Sequence, residues 1–287
     1  MQVDVIFTSD LHLREDRPIC RTDDYQAAQW SKVQQIFDLQ IRYNCPVLHA
    51  GDLFNHWKPS PYLLSKAIKN MPYNFHTVFG NHDLPNHNIN DLDKSGVYTL
   101  HTAECLGVLS CLHWEQTDTE YASYTINNRK ILVWHIMTYQ GDLPWPGCVD
   151  LSAKQILRKL HGQFDVIVTG HNHKSFVEEY KGSVLVNPGS MMRMKADEQD
   201  HRPSVYLWDS TTNEVKRHYL RIEENVISRN HIKAKKKEVD EVFLSEEAWS
   251  GSLNEMSISF KQNMEQRLGS DNNIRKPVKT IIEESLD

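Results

Sequence analysis

The sequence is short of the features that would mark a secreted or membrane protein. It has five cysteines, an odd number, with no Cys-x-x-Cys pair among them. A disulfide framework and a structural thiolate–zinc centre are both excluded, and reduced thiols are expected. No apolar run approaches the length of a bilayer span. The opening Met1-Gln2-Val3-Asp4-Val5 has no basic leader and leads straight into a strand, so no membrane association is expected and the cytoplasm of a bacterial or phage-infected cell is the expected location. Positive charge is not in excess: 32 Lys and Arg stand against 38 Asp and Glu, a formal charge of −6. That excludes binding of nucleic acid by overall charge. It leaves room for a local basic stripe, or for metal ions that bring positive charge to a phosphate. Repeats and low-complexity tracts are absent as well.

What is present is a globular composition, 39% hydrophobic over 287 residues, enough for one large α/β domain with an appendage. Val3–Thr8, Pro46–Ala50 and Phe75–Phe79 read as buried strands. Between them, Asp24–Arg42 and Pro61–Asn70 carry helical spacing, the second with Ser60 as cap and Pro61 in its first turn. Such alternation predicts a largely parallel sheet. Tyr121–Ile126 and Lys130–Trp134, joined at Asn127-Asn128-Arg129, predict a hairpin. Leu151–Leu160 predicts a helix, followed by strands at 165–169, 176–180, 183–186, 205–208 and 215–220. Two sheets face to face with helices outside, an α/β/β/α sandwich, is the expected fold over residues 1–222. Residues 223–287 shift to dense Glu and Lys, with helical patterns at 239–249, 253–268 and 277–286, and are expected to form a helical extension, read as solvated helices packed on the core, with a docking element for a partner as the alternative.

Fifteen histidines are many for this length, and five of them fall in five ordered motifs. These are Asp10-Leu11-His12, Gly51-Asp52, Gly80-Asn81-His82-Asp83, His135 and Gly170-His171-Asn172-His173. Each alone is an ordinary turn or a core histidine. In order, and mostly at strand ends, they converge where open α/β sheets gather catalytic groups. Asp10 and His12 are two apart, as are His171 and His173, so in extended chain each pair projects to one side. Carboxylate, amide and imidazole donors without thiolate suit borderline or hard divalent ions. Asp52 is the natural bridge between two ions. Such a pair clamps the attacking and leaving oxygens of phosphoryl displacement and lowers the pKa of water. His82 follows Asn81 directly, so it should point away from the metal and serve the leaving oxygen or the phosphate. Asp83 is expected to orient His82.

These motifs resemble those of the calcineurin-like metallophosphoesterases, whose pattern runs D-x-H, G-D, G-N-H, H and G-H-x-H, over about residues 1–220. The resemblance implies one metal held by Asp10, His12, Asp52 and His173, and a second held by Asp52, Asn81, His135 and His171. It also implies a catalytic role for His82. Gly51-Asp52-Leu53-Phe54-Asn55 differs from the protein serine/threonine phosphatase loop. By contrast, Ser9–Leu13, Gly51–Phe54, Lys58-Pro59-Ser60, 187–193 and 200–206 are similar to SbcD-type DNA-repair exonucleases, including phage members. That similarity implies a manganese-dependent DNA exonuclease or endonuclease, with iron, zinc or magnesium as alternative ions. It further implies an SbcC-like ATPase partner and a homodimer, with 91–106 the expected dimer surface. His56, Lys58 and Arg193 are the expected DNA or phosphate contacts, with Lys174, Lys195, Trp57, Tyr62 and Trp145 as further candidates. Two departures accompany it. Asn55 stands where some relatives have a phosphate-positioning histidine, and residues 223–287 are shorter than the DNA-engaging cap of full-length relatives. The competing expectation is a phosphodiesterase or phosphatase for nucleotides or other small phosphoesters.

Overall fold

Two β-sheets stacked face to face, with helices on both outer surfaces, make up the fold. The computed structural model describes residues 1–109 and 121–232. By internal contacts the chain divides into two compact units, Met1–Ser228 and Arg229–Asp287. The helices expected within 239–286 lie outside the described residues. In the first sheet the strands run β11–β10–β1–β2–β3–β4, formed by Glu214–Tyr219, Ser204–Asp209, Val5–Thr8, Val47–His49, Phe75–Thr77 and Gly107–Val108. β1 to β4 are parallel, while β10 and β11 close one edge antiparallel. The second sheet runs β5–β6–β7–β9–β8, formed by Tyr121–Ile126, Arg129–Trp134, Val166–Thr169, Ser183–Asn187 and Phe176–Tyr180.

Residue alternation assigns each face. In β1, Val5 and Phe7 turn toward the second sheet and join Leu48, Ile131, Val133, Val168 and Trp208 in the inter-sheet core. Ile6 faces the other way, against helices α1 (Tyr25–Tyr43), α2 (Pro61–Asn70) and α3 (Gly96–Thr102). In β6, Ile131 and Val133 face inward, while Leu132 packs with Ile167, Leu185 and helix α4 (Ala153–Lys159). Both sheets are therefore buried on two faces, which explains why their strands read as apolar runs.

The helices begin where side chains can cap them. Asp24 accepts from the Ala27 amide and Ser60 from the Leu63 amide, while Ser152 and Gln155 cap α4 reciprocally. The expected strands at 46–50 and 75–79 are shorter in the structure, because the chain leaves the sheet to form the loops of the site. Residues 81–94 form short 3-10 turns, and α3 and β4 had no sequence expectation. The expected dimer surface overlaps α3, where Val97 and Leu100 are fully buried in the core of this chain.

Candidate metal centre

All five motifs lie at the carboxyl ends of parallel strands: β1, β2 and β3 of one sheet, β6 and β7 of the other. Backbone hydrogen bonds lace the first two loops together. Asp10 N–H donates to Gly51 O at 3.1 Å and His12 N–H to Asp52 O at 3.0 Å. The loops turn through left-handed backbone at Asp10, His12, Asp52 and His171, with φ of 49°, 44°, 57° and 73°. Each such residue costs about 1–3 kcal/mol, a cost that surrounding structure must offset. Gly51, at φ 85°, is sterically required, because a Cβ there would lie 2.6 Å from His135 Nδ1.

The structure brings the seven expected ligands together as two clusters joined by Asp52. In the first, His12 Nε2 lies 3.1 Å from His173 Nε2 and 3.9 Å from Asp10 Oδ1. In the second, Asn81 Oδ1 lies 3.0 Å from His135 Nε2 and 2.9 Å from His171 Nδ1, and these two nitrogens are 3.3 Å apart. Asp52 Oδ2 stands between, 3.7 Å from His12 Nε2 and 3.4 Å from His135 Nε2.

These spacings fit divalent ions. For bonds of about 2.1 Å, neighbouring ligand atoms sit about 3.0–3.4 Å apart. His135 Nδ1–H donates to Ala50 O at 2.7 Å, which leaves Nε2, the atom facing Asn81 and Asp52, as the nitrogen a metal would take in place of a proton. Asp10 is fully buried, and its Oδ2 has no hydrogen-bond partner among the described residues. A bare carboxylate oxygen in the interior is costly unless a cation or donor meets it.

The electrostatics point the same way. Burial pushes Asp10 up to about 6 and His12 down to about 3. Burial also opposes ionisation of Asp52, yet His135, then His12 and His82, hold its carboxyl below the usual range. His135 mirrors this: burial opposes its protonation, but Asp52 carries it up to about 10. An ionised Asp52 beside a protonated His135 supplies with protons a charge balance that a divalent cation also provides.

The remaining expected residues divide. His82 is exposed at the mouth of the site, its ring edge-on to His12 at 4.8 Å. Its partner is not Asp83: His82 Nδ1–H donates to the Asn55 carbonyl at 2.9 Å. Asp83 faces inward, fully buried, and accepts from the amides of Leu53, Phe54 and Gly80 at 3.0–3.1 Å. Adjacent residues in a 3-10 turn point in different directions, so adjacency did not imply contact. Burial, with the charge of Asp52 adding, pushes Asp83 up to about 7.

Arg193 is corrected too. It is 3% exposed, and its guanidinium is committed to the carbonyls of Gln199 and Glu223. His56 and Lys58 are exposed on the loop after β2, where His56 Nδ1 accepts from the Lys58 amide. Neither borders the cavity of about 740 Å³ that opens beside His171 and His173. Arg202, Arg217 and Tyr219 line that cavity and were missed by sequence reasoning. The signal available was the same-face spacing of Arg217 and Tyr219 in β11.

The model of the Calcineurin-like phosphoesterase superfamily domain matches residues 3–213, and the chain belongs to that superfamily. No curated protein matches the sequence significantly. Among solved structures, an archaeal phosphodiesterase is 16% identical, over 75% of this chain and 99% of its own, with a TM-score of 0.44. Vacuolar protein sorting 29 of Cryptosporidium parvum is 20% identical, over 78% of this chain and 100% of its own, with a TM-score of 0.38. A predicted phosphoesterase of Streptococcus pneumoniae is 14% identical, over 76% of this chain and 98% of its own, with a TM-score of 0.36. Cys20, Cys45, Cys105 and Cys148 are free, and no helix among the described residues is long and apolar enough to cross a membrane.

Proposed function

We propose that the protein is a two-metal phosphodiesterase acting on nucleic-acid strands, as the SbcD-like wording of its motifs implies. The observation that carries the hydrolytic reading is the pair of ligand clusters sharing Asp52, with His82 at their mouth. Asp10, His12, Asp52 and His173 would hold one ion, and Asp52, Asn81, His135 and His171 the other. When bound, the ions supply Lewis-acid activation of water and of the phosphoryl oxygens. Manganese is the proposed ion, on the SbcD-type resemblance; the mixed oxygen and imidazole donor set suits iron or zinc equally.

The protein's own groups do the rest. The Asn55 carbonyl fixes Nδ1 of His82 as a donor and leaves Nε2 as the outward atom, which in the imidazolium would carry the proton for the leaving oxygen. The Asp52 carboxylate also accepts from the His82 amide at 2.8 Å, which ties the acid to the bridge. Asp10 Oδ1 accepts from the His171 amide at 3.0 Å, which ties the two sheets' loops together.

A second reading, a phosphodiesterase for small phosphoesters, is favoured by the formal charge of −6. The deciding measurement is degradation of end-labelled single-stranded and duplex DNA with Mn²⁺, beside turnover of bis-para-nitrophenyl phosphate, for the protein and His82→Ala. Cleavage of DNA that disappears in EDTA is expected. His82→Ala is expected to lower kcat about 10²–10⁴-fold on DNA while retaining metal. Turnover of the small diester without DNA cleavage selects the second reading, and no turnover of either removes both.

A further inference from the structure

We infer that the cavity beside His171 and His173 is a subsite for the nucleotide unit flanking the scissile phosphodiester, with Arg202, Arg217 and Trp145 as its specificity-determining residues. The inference rests on the phosphodiesterase reading and names the part of the substrate that this site selects.

The first observation is position. The cavity of about 740 Å³ has two of the metal-ligating imidazoles in its wall, so whatever fills it adjoins the reacting centre. That volume suits a molecule of nucleotide size rather than one phosphate.

The second is charge. Lys174, Lys195, Arg202 and Arg217 line the wall, and among the described residues no carboxylate lies within 4.0 Å of the charged end of any of them. Of the three acids that also line it, Glu198 is committed: it accepts from the amides of Met194 and Lys195 and stands 3.9 Å from His173 Nδ1. The two arginines share one ring. Arg202 lies 5.1 Å and Arg217 4.8 Å from the centroid of Tyr219. Arg217 is further fixed by Nε donation to Ser204 Oγ at 3.0 Å. Two like charges held around one half-exposed ring are unfavourable alone and favourable around an anion.

The third is Trp145, which also lines the cavity, stands 47% exposed and belongs to none of the hydrophobic clusters. An exposed indole in a cavity that also holds Lys174, Lys195, Arg202 and Arg217, against Asp197, Glu198 and Asp200, offers stacking for a base and charge for its phosphate.

The test is binding without catalysis. In EDTA, anisotropy of a fluorescein-labelled oligothymidylate is measured across a salt series for the full chain, Trp145→Ala, and the double variant Arg202→Gln with Arg217→Gln. The expected result is about a tenfold loss of affinity for each, with a flatter salt slope, about 0.7 per lost phosphate contact, for the double variant alone. With Mn²⁺, the ratio of kcat/KM for the oligothymidylate to that for bis-para-nitrophenyl phosphate should fall about tenfold. Unchanged affinity, or equal losses on both substrates, would overturn the subsite. If the arginine pair does not fold, as judged by its melting curve, Lys174→Gln with Lys195→Gln replaces it under the same criteria. Hydrolysis of the small diester by a protein that does not bind oligothymidylate defeats the subsite but leaves the phosphodiesterase reading. Failure to hydrolyse either substrate defeats that reading instead.

Discussion

Lys32 shows how a single buried charge can work against the fold. It is 4% exposed on α1, and its Nζ donates to the Ala28 carbonyl, which already serves the helix. Burial, reinforced by the charges of Arg21 and Arg193, pushes its ammonium down to about 8, despite Asp23 and Glu223. Between pH 8 and the ordinary lysine value, the unfolded chain binds the proton that the native state has lost. Stability contributed by this group therefore rises with pH through that window. Lys32→Met is expected to raise Tm at pH 7, by about 1–3 kcal/mol in stability, with the gain shrinking as the pH rises from about 8 toward the ordinary lysine value. A gain that stays constant with pH would mean packing, not charge, is responsible. At this same scale the seven metal-ligand candidates were legible, because residue type and spacing at strand ends carry that information directly. Asp83 and Arg193 were not legible. What decides their roles is which way a side chain turns, and that depends on backbone groups far away in sequence: Leu53 and Phe54 for one, Glu223 for the other.

At the level of elements, Asp83 becomes a clasp. Its two oxygens hold the loop after β2 to the turn after β3, using three amides that have no other partner among the described residues. Asp83→Ala leaves those amides bare in a buried place, at about 1–3 kcal/mol each before relaxation. The expected outcome is a clear fall in the urea midpoint, together with weaker Mn²⁺ binding by titration calorimetry, because Asp52 and Asn81 flank the clasp. Arg193→Ala should also lower the midpoint, since the strap to Glu223 is lost, while Mn²⁺ affinity stays as it was. Most strands and helices were readable, for strong reasons. Apolar runs buried on both faces mark β1, β2, β6 and β7, while Ser60-Pro61 announces its helix. The chain from Leu84 to Val108 was not readable. Its 3-10 turns are too short for a period, and β4 has only two residues, Gly107 and Val108, whose pairing with β3 is decided by tertiary contact.

For the whole molecule, the sandwich makes the site a joint property of both sheets. Asp10, Asp52 and Asn81 come from loops of one sheet, and His135, His171 and His173 from loops of the other. Ions bound there would fasten one sheet to the other. Mn²⁺ is therefore expected to raise Tm, by an amount equal to about 2.7 kcal/mol at one hundred times its Kd, and EDTA to reverse it. Calorimetry with Asp52→Asn, which weakens the shared ligand, should show most of that rise gone. The left-handed backbone at Asp10, His12, Asp52 and His171 gives this architecture a direction of drift. Glycine relaxes such a position, but Asp10 and Asp52 also accept the amides of His171 and His82, so in a metal-free protein it is His12 and His171 whose loss relieves strain without giving up such a bond. A lineage released from the need to hydrolyse phosphoesters would shed them early and keep a sound sandwich, inert in chemistry and open to a second career as a platform for other molecules.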